Sequence, residues 1–123
     1  MSQSNELVEL FKSRQTVLEL LKKQGYDVSN YENASMTEVS VMRDQKQMDM
    51  LVETDTGKKA YVKYHLGKTL RANNVYDYIE DLINLDNVLQ KTDDLIIIVK
   101  EDPNDSLIKV LKSIWKKQKI LLI

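Results

Sequence analysis

The chain has no cysteine among its 123 residues. That excludes disulfides, a thiolate zinc site and a cysteine nucleophile, and it suits a reducing compartment. Histidine is scarce as well. A histidine-based metal cluster or a Ser-His-Asp triad could rest only on His65, which closes a strand near Gly67 and reads as an ordinary strand-end residue. Proline occurs once, at Pro103, and none of the three glycines sits in a phosphate-cradling loop. No apolar run approaches the roughly 18 residues of a membrane span, so no membrane partner is expected. The opening residues lack the basic region and apolar core of a signal peptide. Neither sign of charge dominates, at 18 basic against 19 acidic residues. Autonomous, tight nucleic-acid binders usually carry a basic excess. The distribution is uneven: residues 77–94 hold six acids and one lysine, and residues 109–119 hold five lysines and no acid. Two solvated helix faces account for this, and so does a modest contact inside a larger complex.

Residues 48–65 organise the rest. Two arms alternate with period two around Asp55-Thr56-Gly57, which suits a three-residue hairpin loop with Gly57 in the left-handed position. The implied register makes one face apolar, from Met48, Met50, Val52, Ala60, Val62 and Tyr64. The other face pairs Glu53 with Lys59, Leu51 with Tyr61 and Asp49 with Lys63. An Asp on one strand facing a Lys on the next is the geometry of the PD-(D/E)xK nucleases. There the Asp and the first acid of the triplet hold a divalent ion, and the Lys helps position water. Here the triplet is Tyr61-Val62-Lys63, so the second acid is missing. One carboxylate and a phenol make a poor Mg²⁺ site. The ordinary alternative is a cross-strand ion pair on a half-wet sheet, contributing about 0–1 kcal/mol. A live nuclease would have to recruit Glu53 or Glu19; Glu53 lies about 13 Å along the strand, too far to share one ion.

Upstream, Ser4 is expected to cap a helix whose stripe is Leu7, Leu10, Phe11, Val17, Leu18 and Leu21, ending at Lys22-Lys23-Gln24-Gly25. Arg14 falls on that stripe and needs a carboxylate or carbonyl partner, or must snorkel to water. Residues 26–47 are polar, anchored by Val28, Tyr31, Met36, Val39 and Met42. Ser35 and Glu38 there form a capping box for a short helix ending near Arg43. Beyond the hairpin, residues 67–73 read as a loop. Asn74 is expected to cap a second long helix with Tyr76, Ile79, Leu82, Ile83 and Leu89 inward, breaking somewhere within residues 84–91. Residues 95–99, a continuous β-branched run, predict an interior parallel strand, joined to the hairpin by a right-handed crossover. A turn at residues 101–106 leads to a third helix with Leu107, Ile108, Leu111, Ile114 and Trp115 inward. A last strand, residues 119–123, ends with the chain, as expected of a fragment. The sum is a single α/β domain over residues 1–123, a mixed β-sheet flanked by helices.

Phe11-Lys12-Ser13-Arg14-Gln15-Thr16-Val17-Leu18-Glu19-Leu20-Leu21, followed by Gly25-Tyr26-Asp27-Val28, resembles the N-terminal jaw domain of the fifth-largest subunit shared by eukaryotic nuclear RNA polymerases, viral versions included. The family's usual aromatic before the Arg is Trp; here it is Phe11. The resemblance runs over about residues 6–123, the later part by order and spacing of elements. It implies a restriction-endonuclease-like, non-catalytic fold without cofactor, placed near downstream DNA. It also implies partnership with the other polymerase subunits, the largest above all, and contact with transcription factors. Localisation would be the nucleus for a cellular source and the viral factory or virion for a viral one. The family's DNA-approaching loop corresponds to residues 102–106. Pro103 carries over, and Asn104, Ser106 and Lys109 are usable phosphate partners, whereas Glu101, Asp102 and Asp105 would repel phosphate. The family's C-terminal assembly domain has no counterpart in this sequence.

Overall fold

The computed structural model describes residues 2–66, 69–90, 92–99, 109 and 120–122. The chain is a small mixed α/β protein in which helices accompany a β-sheet. It divides into two compact units, Met1–Gly57 and Lys58–Ile123.

The first unit contains α1 (Ser2–Lys23), α2 (Met36–Asp44) and β1 (Met50–Glu53). Helix α1 starts at Ser2, so Ser4 lies inside it and is not its cap. Its inner stripe is as expected where it is tightest: Val17, Leu18 and Leu21 are buried. The helix stops by a Schellman arrangement. The N–H of Gly25 donates to Lys22 O (3.1 Å), the N–H of Tyr26 donates to Leu21 O (3.0 Å), and Gly25 takes φ +93°. Helix α2 packs against α1 and opens with the capping box read from the sequence. Glu38 N donates to Ser35 Oγ (3.1 Å) and Ser35 N to Glu38 Oε1 (3.2 Å). Of the anchors expected in residues 26–47, Val28 and Val39 are buried. Met36 is not, at 38% exposed: as the first residue of α2 it projects beyond the packed face.

Strand β1 alternates buried and exposed residues, with Met50 and Val52 inward. Its free backbone groups are met from within this unit. Tyr26 bridges Thr54 in antiparallel sense, and the N–H of Asp27 donates to Glu53 O (3.0 Å). The Tyr31 hydroxyl donates to Leu51 O and accepts from Leu51 N, both at 3.2 Å. One phenol thus does for Leu51 what a neighbouring strand residue would do. After β1 the N–H of Gly57, at φ +90°, donates to Thr54 O (3.0 Å), the left-handed turn glycine expected at that position.

The second unit is built on β2 (Lys59–His65), β3 (Asp94–Val99) and β4 (Ile120–Leu122). Strand β3 is interior: β2 pairs with it in parallel from Ala60↔Asp94 to His65↔Val99, and β4 in parallel from Leu95↔Ile120 to Ile97↔Leu122. The apolar run of residues 95–98 is buried throughout, as a strand between two parallel neighbours requires. The crossover from β2 to β3 carries α3 (Ala72–Ile79), which passes directly into a π-helical segment, Glu80–Leu85. This differs from the sequence expectation in three ways. First, the helix starts before Asn74, and Asn74 reaches back: its Oδ1 accepts from Arg71 N at 3.0 Å. Second, Val75 is the fully buried residue and Tyr76 is 53% exposed, because the inward line runs Val75, Leu82, Leu89. Third, the break in residues 84–91 is preceded by a widened turn, marked by the N–H of Asp86 donating to Asp81 O at 2.8 Å. Leu70, Val75, Leu82, Leu89, Leu95 and Ile97 form one buried cluster, with Tyr61, Tyr78, Ile79 and Val99 packed on it. The crossover helix therefore covers the sheet face that bears Tyr61, which the sequence had suggested was half-wet. The expected third helix lies outside the described residues except at Lys109, which is helical and exposed.

Candidate functional site

The residues singled out by the nuclease pattern belong to different units. Asp49 lies in the first, half-buried just ahead of β1. Tyr61 and Lys63 lie in the second, both half-buried on β2. Tyr61 packs with the apolar cluster under α3, which suits a phenol. Lys63 aims its Nζ at the Tyr78 ring, 5.0 Å from the centroid, a cation–π contact of about 0.5–1 kcal/mol where solvent reaches it. Among the described residues, no group of three or more acids and histidines could hold a metal ion.

Beside Lys63, His65 and Tyr78 are joined by a hydrogen bond between His65 Nδ1 and the Tyr78 hydroxyl. Their rings meet edge to face at 5.9 Å between centroids. His65 Nε2 is buried without a hydrogen-bond partner among the described residues. The last residue of β2 is thereby fixed to the crossover helix. Reading the sequence alone did not find Tyr78: its partner is 13 positions away, and no local pattern links them.

In the first unit a cleft of about 420 Å³ opens between the middle of α1, residues 29–34, α2 and the segment leading into β1. Its walls include Arg14, Tyr31, Asn33, Glu38, Gln47 and Asp49. Arg14 is only 3% exposed. Its Nη2 donates to Tyr31 O (3.1 Å), its Nη1 approaches Met50 Sδ (3.3 Å), and its guanidinium lies 5.9 Å from the centre of the Tyr31 ring. The carbonyl partner expected for an arginine on an apolar stripe is thus Tyr31, 17 residues on. None of the ion pairs among the described residues includes Arg14.

The second unit has a carboxylate of structural purpose. Asp93, 7% exposed, accepts from Lys59 N (2.9 Å) and Gln90 N (2.8 Å), which joins the start of β2 to the turn before β3. Next to it Lys58 Nζ pairs with Asp94 at 3.3 Å. Of the residues expected to approach DNA, Pro103, Asn104 and Ser106 lie outside the described residues, and Lys109 is exposed. No described helix is long and apolar enough to cross a membrane. Neither protein-family models nor curated proteins give a match to this chain.

Proposed function

We propose that this chain is a non-catalytic jaw module of a multisubunit DNA-directed RNA polymerase, restriction-endonuclease-like in fold and positioned near downstream DNA. The observation that carries the reading is the α1 motif with its exit, Arg14-x-Thr16-Val17 and Gly25-Tyr26. Each part of it has a physical role in the fold. Arg14 and Val17 face inward, Gly25 turns the chain in the left-handed region, and Tyr26 is buried and bridges Thr54. The triplet Tyr61-Val62-Lys63 supports the non-catalytic part, since a phenol packed in an apolar cluster stands where a nuclease needs an acid. The balanced charge agrees with a module that touches DNA weakly and depends on other subunits for its place.

The test is affinity capture of the natural gene product from its source cells, followed by mass spectrometry. Large polymerase subunits in stoichiometric amount are the expected result. Their absence, with the protein intact, refutes the proposal and puts Mg²⁺- or Mn²⁺-dependent cleavage, sensitive to Asp49→Ala, first among the alternatives. Isolated protein should bind DNA weakly, without sequence preference, and less as salt rises; tight sequence-specific binding would also count against the jaw reading.

A further inference from the structure

The sequence motif does not explain why a guanidinium should be buried on the wall of an open cleft without a counter-ion. Arginine stays charged at any physiological pH, and a buried charge is strongly unfavourable unless it is paired. Arg14 is 97% buried by its 3% exposure, yet its protein partners are one carbonyl oxygen and one thioether sulfur. The sulfur is a weak acceptor. A guanidinium offers five N–H donors in a planar fork, so the protein leaves most of that capacity unused. Two acids, Glu38 and Asp49, share the cleft wall, and Glu38 is engaged in the cap of α2.

We infer that the cleft binds a carboxylate monoanion, seated two-pronged on the Arg14 guanidinium. The planar fork matches a carboxylate's two oxygens. The side-chain amides of Asn33 and Gln47, on the same walls, supply neutral donors around it. Glu38 and Asp49, on the same walls, oppose a phosphate dianion more strongly than a carboxylate monoanion, so the guanidinium contact has to carry the binding. The carboxylate can arrive on a small free acid or at the C-terminus of a peptide, and the chemistry at Arg14 is the same.

The full chain, labelled with ¹⁵N, is titrated with sodium acetate at constant ionic strength while the Arg14 Nε–H and the Asn33 and Gln47 side-chain amides are followed. A saturable shift is expected, with half-saturation on the order of 1–50 mM for a single charged pair. Acetamide, the neutral isostere, and chloride should produce no saturable shift. Arg14→Lys keeps the charge but loses the fork and should weaken binding about tenfold. Should that variant misfold, the acetate–acetamide contrast on the wild-type protein decides alone. Comparing acetyl-tetraglycine with its amide separates the sources: binding at least fivefold tighter than acetate identifies a chain terminus, and equal binding a free acid. No saturable acetate shift, or an equal response to chloride or acetamide, overturns the inference.

Discussion

Removing the Asp93 carboxylate tests how the second unit is held together. Asp93 is 7% exposed, and its two oxygens accept from two backbone donors, Lys59 N at 2.9 Å and Gln90 N at 2.8 Å. Hydrogen bonds to a charged group contribute about 1.5–3 kcal/mol each, and a buried donor left without an acceptor carries its own desolvation cost. Asp93→Ala removes both acceptors and is expected to destabilise the protein by about 3–5 kcal/mol, a large share of a typical total of about 5–15 kcal/mol. Asp93→Asn keeps one oxygen but turns an NH₂ toward the second donor, so its cost should be intermediate, about 2 kcal/mol. Urea unfolding followed by circular dichroism measures both, with the m-value as a check that the unfolded state has not changed. Amide hydrogen exchange adds a local readout: the Lys59 and Gln90 amides should lose protection in the Ala variant before the interior of β3 does. A cost below about 1 kcal/mol for Asp93→Ala, or equal costs for Ala and Asn, would refute the reasoning.

Three further outcomes are open to measurement. Ser35→Ala removes the side-chain acceptor of the α2 capping box and should cost about 1 kcal/mol in thermal or urea unfolding; a neutral result would mean the cap contributes nothing in this context. Gly25→Ala puts a side chain at φ +93°, where a Cβ meets no neighbour within 4 Å. Its cost of roughly 1 kcal/mol should therefore be purely conformational, and Gly25→Asn, which tolerates the left-handed region better, should lose less. Asp27 titrates below the ordinary 3.8 of an aspartate because it accepts hydrogen bonds from the Ser29 side chain and backbone N–H. Since the folded value is depressed, this contribution is fully present above pH 3.8 and is lost as pH falls through the lower folded value. Carboxyl NMR titration should show Ser29→Ala moving the midpoint upward but not fully back, because the backbone bond at 3.0 Å remains.

The features legible in the sequence are those whose causes lie within about four residues. Ser35 and Glu38 cap α2 because the box closes over three positions. Gly25 and Gly57 turn the chain because only glycine takes those φ values cheaply. Leu95, Ile96, Ile97 and Ile98 form an interior strand because a run without polar alternation cannot face water on either side. The same local logic failed at α3, where Asn74 can serve either as a cap or as the residue that reaches back to one. Packing of Val75 under the crossover, rather than any signal at Asn74, fixed the start and the inward face.

Arg14 shows the boundary between the two kinds of knowledge. Its place on the apolar stripe of α1 called for a carboxylate or carbonyl partner or an escape to water, and that much followed from chain periodicity and the cost of burying charge. Which acceptor it finds, and that a cleft opens beside it, depend on Tyr31 and Met50, 17 and 36 residues away. Asp93, Tyr78 and the Tyr31 hydroxyl are of the same kind: each is an ordinary polar residue until its partner, 13 to 34 positions distant, is brought within hydrogen-bonding range. Short-range hydrogen bonds and backbone sterics are written into neighbouring residues, so the sequence by itself determined the capping box of α2, the glycine turns at Gly25 and Gly57 and the interior strand β3. Pairing across long separations exists only once the chain has closed on itself, so the tertiary structure alone decided which side chains form a site.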